Sequence, residues 1–133
     1  MDVADAAAID EVKAAIRAHE AAVEAADVES IVCGGTDDAV VLIPNAPLFV
    51  GKDAVRALYA QQLAMGKWTN LHHQYLGECV VGDVAVLHGV ATSTFTPPGA
   101  PPMTFANNFI LTYRRGADGR WLVWRVAFAP TSA

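Results

Sequence analysis

From Trp68 onward the chain falls into four long β-patterned runs, about 68–81, 84–95, 103–114 and 121–129, and this half constrains the fold most. Gly82-Asp83, Thr96 to Pro102 and Arg115 to Arg120 separate them, connections suited to hairpins. Successive hairpins make an antiparallel meander. Side chains alternate along a strand, so Phe105, Asn107, Phe109, Leu111 and Tyr113 share one face of the third run. Ala106, Asn108, Ile110 and Thr112 share the other, and the larger, more aromatic set is expected on the concave core side. On the last run Leu122, Trp124, Val126 and Phe128 form the cleaner apolar set and are expected inward.

Three helical segments precede the strands. Ile9, Val12, Ile16, His19 and Val23 recur at spacings of three and four, predicting a helix over 9–26 with Glu11, Lys13, Arg17, Glu20 and Glu24 outside. Asp27 reads as the N-cap of a short helix, Val28 to Cys33, with Ser30 at N3 and Gly34-Gly35 ending it. Residues 39–43 and 48–50 read as a strand pair around a turn containing Pro44 and Pro47. A third helix is expected over 53–65, with Val55, Leu58, Tyr59 and Gln62 on one face and Gly66 as the stop. The expected fold class is α+β, with N-terminal helices packed on a strongly curved, mainly antiparallel sheet. At 133 residues it should be a single domain, 1–133.

With 53% hydrophobic and 17% charged residues, against a charged share of about 25% in ordinary domains, the chain can fill a core. Its net charge of −5 is uneven, since residues 1–38 hold ten acids and two bases. No basic groove is available for phosphates, which argues against nucleic acid as a partner. No stretch reaches the ~18 apolar residues of a membrane span, and the start is acidic, unlike a signal peptide. A cytoplasmic protein with no membrane partner is expected. Cys33 and Cys79, far apart and outside any CxxC, read as reduced core thiols.

Metal and cofactor chemistry find little support in the pattern. His72 and His73 are adjacent and point to opposite faces, and a two-residue turn at Gly82-Asp83 puts His88 opposite Gly77 and His73 opposite Thr92. No histidine pair results, so no metal site is expected. Neither GxGxxG nor GxxxxGK occurs, no serine or cysteine sits in a nucleophile elbow, and no cofactor is expected.

His19 is the first candidate for chemistry. A titratable ring on an aliphatic stripe must either hydrogen-bond, to a backbone carbonyl or Tyr59, or face a cavity. Tyr59, Asn107, Phe109, Trp124 and Phe128 complete a candidate pocket for a small apolar molecule, with His19 as its catalytic group. Trp68, Trp121 and Arg125 are expected on a dimer face, since aromatic and Arg residues are enriched at interfaces, and a homodimer is expected.

Several segments carry a family resemblance. Asp27-Val28-Glu29-Ser30-Ile31, Thr36-Asp37-Asp38-Ala39-Val40 with Pro44, Gly51-Lys52-Asp53-Ala54-Val55-Arg56 and Asp118-Gly119-Arg120-Trp121 together resemble the nuclear transport factor 2 (NTF2)-like superfamily, also called cystatin-like. Within it the chain looks most like SnoaL-like and SgcJ/EcaC-type members. The resemblance implies a cone-shaped α+β barrel and is specific for fold rather than function. By similarity to ketosteroid isomerases, the oxyanion-stabilising tyrosine falls on His19 and a second pocket tyrosine on Tyr59. The catalytic aspartate before a proline falls on Ile43, so the classical isomerase route lacks its base, and the protonated pocket aspartate falls near Phe109, with Asn107 the nearest polar residue. Three readings stay open. They are a small-molecule-binding protein, an isomerase- or cyclase-type enzyme using His19 on a small apolar carbonyl compound, and a dimeric assembly module with a vestigial pocket.

Overall fold

The computed structural model describes residues 2–132; Met1 and Ala133, the ends of the expected domain 1–133, lie outside the described residues. Three helices come first in the element order, α1 (Val3–Glu24), α2 (Val28–Cys33) and α3 (Lys52–Ala64), with β1 (Gly35–Leu42) and β2 (Phe49–Val50) between the last two. Then follow β3 (Lys67–Val81), β4 (Val84–Thr96), β5 (Met103–Arg115) and β6 (Trp121–Pro130). α1 starts six residues earlier than its apolar periodicity indicates. Asp2 caps it, Oδ1 accepting from the Asp5 N–H at 2.8 Å, and the alanines of the first turns carry high helix propensity without marking a face. α2 has the expected bounds, and Asp27 accepts from both the backbone N–H and the hydroxyl of Ser30.

The six strands lie in the order β2-β1-β6-β5-β4-β3, with β1 parallel to β6 and every other pair antiparallel. The helices cover the concave face of this curved sheet, the α+β cone the sequence indicates. Val12, Ile16, Ala85 and Leu87 seal the core between α1 and the meander. No helix among the described residues is long and apolar enough to cross a membrane.

Two irregularities in the meander overturn specific expectations. From the turn at Gly82 the β3–β4 register runs as expected to Gly77 opposite His88, then shifts between Gly77 and Tyr75. One extra residue on a strand reverses the facing of everything beyond it. Tyr75 therefore faces Gly89, and His73 faces Ala91 instead of Thr92. Leu76 is the extra residue and is 63% exposed. His73 thereby joins the concave face, where Ala91 and Tyr75 pack against the core.

The second shift lies between β5 and β6, where Thr112 faces Arg125 but Tyr113 faces Val123. Trp124 is the surplus residue. It turns to the convex side, where the guanidinium carbons of Arg114 and Arg125 lie 5.2 and 4.6 Å from its ring centre. Trp124 is thus not part of the expected pocket. Trp121, expected on a dimer face, is instead 5% exposed and packed in the core, its Nε1–H donating to Glu11 at 3.0 Å. Trp68 also turns inward, its ring centre 4.8 Å from that of Phe95. Of the three residues expected at an interface, Arg125 is the exposed one, and Cys33 and Cys79, expected in the core, are both exposed.

Candidate functional site

His19 from α1, Tyr59 from α3, His73 from β3 and Phe128 from β6 line both of two adjacent chambers. The outer chamber, about 240 Å³, is also lined by Asn107, Gln62, Trp68 and the Ile43-Pro44 turn. The inner chamber is about 40 Å³, walled mainly by aliphatic side chains such as Val32, Ala39, Val55 and Val126. Lys52 borders its far end. It stands seven residues before Tyr59 on α3, about 10 Å along the helix axis.

The structure brings together four of the six expected pocket residues, His19, Tyr59, Asn107 and Phe128. Phe109 stands behind them, 3% exposed, edge-on to the His73 ring at 5.1 Å between centres. It supports the wall rather than lining it. Ile43 sits in the outer chamber and brings an alkyl group where the resemblance places a carboxylate.

A short polar contact ties the cavity-lining His73 to Glu20 behind it, neither of them expected at the site. Glu20, expected on the outer face of α1, is only 18% exposed at its side chain, and its Oε2 lies 2.7 Å from Nδ1 of His73, itself 9% exposed. A carboxylate accepts hydrogen bonds, so the contact is an Nδ1–H donation to Glu20, and in the neutral imidazole that tautomer leaves Nε2 as the acceptor nitrogen. Tyr75 flanks the same ring at 6.3 Å, nearly parallel to it. The pair is local in space but 53 residues apart in sequence. The signal that could have revealed it is glycine, since Gly77 and Gly89 interrupt two neighbouring strands and strand glycines mark bulges.

His19 is electrostatically different from its neighbour. Burial, and secondarily the nearby His73, lowers its pKa from 6.5 to about 4, so its imidazole is neutral at neutral pH. Its ring meets that of Tyr59 edge to face at 5.8 Å. Burial pushes the Tyr59 phenol up to about 12 and the Tyr113 phenol upward as well, keeping both protonated as donors.

The depressed His19 pKa makes stability depend on pH. The unfolded chain takes up a proton near pH 6.5 and the folded chain near 4, so the unfolded state binds more protons between those values. The contribution of neutral His19 is complete above pH 6.5 and is lost as pH falls towards 4, on the order of 2–3 kcal/mol by pH 4.5. Urea unfolding of wild type and His19→Leu at pH 7.5 and 4.5 should show a stability loss on acidification larger in the wild type by about that amount. Equal losses in the two proteins would contradict a sequestered neutral imidazole.

A curved sheet closed by helices over a cavity defines the NTF2-like, cystatin-like class of small α+β proteins. The chain belongs to the SnoaL-like domain family, whose signature matches residues 16–124. Similar solved structures include a ketosteroid isomerase-like protein from Erwinia carotovora atroseptica, at 23% identity and TM-score 0.79 over 91% of this chain and 94% of that one. An NTF2-like family protein from Streptomyces avermitilis, described as a candidate dehydratase, superposes at 21% identity and TM-score 0.77 over 94% and 97% of the two chains. An NTF2-like protein with a cystatin-like fold from Novosphingobium aromaticivorans does so at 18% identity and TM-score 0.73 over 93% and 82%. At these identities the likeness establishes the fold. Among curated proteins no sequence matches the chain.

Proposed function

We propose that the chain is an acid–base enzyme that moves a proton on the carbon next to the carbonyl of a small, mostly apolar compound. The observation that carries this reading is the Glu20–His73 hydrogen bond of 2.7 Å in the wall of the cavity. A carboxylate that fixes one imidazole nitrogen as N–H leaves the other as a base with a set orientation. His73 Nε2 takes the proton. Neutral His19 and the protonated Tyr59 phenol donate hydrogen bonds to the oxygen that becomes negative as the enolate forms. Two neighbouring imidazoles suited to opposite roles, one oriented as a base and one held neutral, divide the work of a proton transfer. The names of two similar structures, ketosteroid isomerase-like and candidate dehydratase, support this class of chemistry.

A second reading, a binding protein without turnover, is favoured by Ile43, which removes the carboxylate base that the isomerase resemblance would require. Exchange of α-protons separates the two, because it reports enolisation whatever the final product. Acetophenone, cyclohexanone and α-tetralone would be incubated with the protein in D2O and their α-proton signals followed by NMR. The expected result is loss of signal from at least one ketone at a rate proportional to protein concentration. Ligand-induced stabilisation without exchange would overturn the enzyme reading in favour of binding. Neither effect with any ketone would overturn both and move the assembly role forward.

A further inference from the structure

We infer that the inner chamber is a subsite for a short apolar arm of the substrate, so that the preferred class is an unsymmetrical ketone. Its larger planar group would lie in the outer chamber and a chain of about three carbons in the inner one. The inference rests on the proposed reading that the carbonyl sits at the junction of His19, Tyr59 and His73.

The two chambers are unequal in size and in chemistry, and the residues to which the reaction is assigned line both. A carbonyl at that junction must send one substituent each way. The outer space, about 240 Å³ with Asn107, Gln62 and Trp68 on its walls, suits a ring and its polar substituents. The inner space, about 40 Å³, corresponds to roughly three water-sized positions, since one water needs about 10–15 Å³ on this measure. A methylene occupies about the volume of a water, so three carbons fill it. Apolar cavities of this kind gain little from water and bind apolar groups. Its far end meets Lys52, whose ammonium pairs with Asp37 at 3.1 Å. A longer chain therefore runs into a charged pair, and the gain per carbon should stop there.

Ala39 and Val55 set the capacity. Both line the inner chamber and both are buried, at 3% and 7% exposure. Ala39→Leu fills it, and Val55→Ala enlarges it.

Binding of phenyl alkyl ketones, from acetophenone through propiophenone, butyrophenone and valerophenone to hexanophenone, tests the inference by titration calorimetry with wild type and both variants. In the wild type, Kd should fall about fourfold per added methylene up to the propyl arm of butyrophenone and then level off or rise. Ala39→Leu should move that break to a shorter arm. Val55→Ala should move it to a longer one. Opposite displacements cannot both arise from loss of folding. A Kd that does not depend on arm length, or a break that neither variant moves, would overturn the subsite. If arm dependence appears without α-proton exchange, the enzyme reading fails and the subsite stands. If exchange occurs with no arm dependence, the subsite alone fails.

Discussion

His73→Gln is expected to slow α-proton exchange by about 10²- to 10⁴-fold, the usual contribution of a positioned general base. The change removes the basic nitrogen and retains a donor, because the glutamine amide can still give an N–H to Glu20. Stability should therefore fall by no more than about 1 kcal/mol, and rate and fold are tested separately. Glu20→Gln acts through His73. A neutral amide offers either a donor or an acceptor to Nδ1, so it no longer selects the tautomer that leaves Nε2 basic, and the rate should fall at least about tenfold. Its pH–rate profile should also change shape, which a loss of packing alone would not cause. Exchange and chemical unfolding would be measured on the same preparations. A His73→Gln protein that retains wild-type exchange would remove His73 from the reaction and leave His19 as the remaining imidazole of the cavity.

The residues that sequence periodicity could place are those on uninterrupted segments. His19 and Tyr59 lie on helices whose stripes are regular, and Asn107 and Phe128 lie on stretches of β5 and β6 that keep strict alternation. All four line the cavity. The residues misplaced by the same reasoning lie at or beyond a strand irregularity. His73 follows the β3 shift counted from the hairpin turn, and Trp121 and Trp124 follow the β6 shift counted from Phe128. Alternation carries no memory across an inserted residue, so an expectation that is right on one side of a bulge is inverted on the other. Glu20 was lost for a different reason. As a charged residue at the edge of the α1 stripe it reads as solvated, and only its partner on β3 makes its burial tolerable. The start of α1 is not legible in the periodicity because alanine favours helix without revealing which face is buried.

Gly89→Ala should be among the most destabilising single substitutions in the chain, costing about 3 kcal/mol or more, whereas Gly77→Ala, twelve positions earlier on the neighbouring strand, should cost about 1 kcal/mol or less. A Cβ at position 89 would overlap the carbonyl oxygen of Gln74 and come within 2.9 Å of the carbonyl carbon and 3.1 Å of Phe109 Cζ. Two of those atoms are backbone. They can retreat only if β3 straightens, and straightening removes the bend that the register shift makes possible. A Cβ at position 77 would overlap Cε1 of the His88 ring instead, with Nε2 at 2.8 Å. That side chain is exposed on the convex face and can rotate away. Scanning calorimetry of both variants should show a fall in Tm of roughly 10 °C or more for Gly89→Ala and a few degrees for Gly77→Ala. Equal shifts would mean that β3 and β4 part easily at this point. Because the same bend turns His73 towards Glu20 and the cavity, the folded fraction of Gly89→Ala should also lose α-proton exchange while Gly77→Ala keeps it. One absent side chain on β4 thus fixes both the curvature of the sheet and the aim of the base.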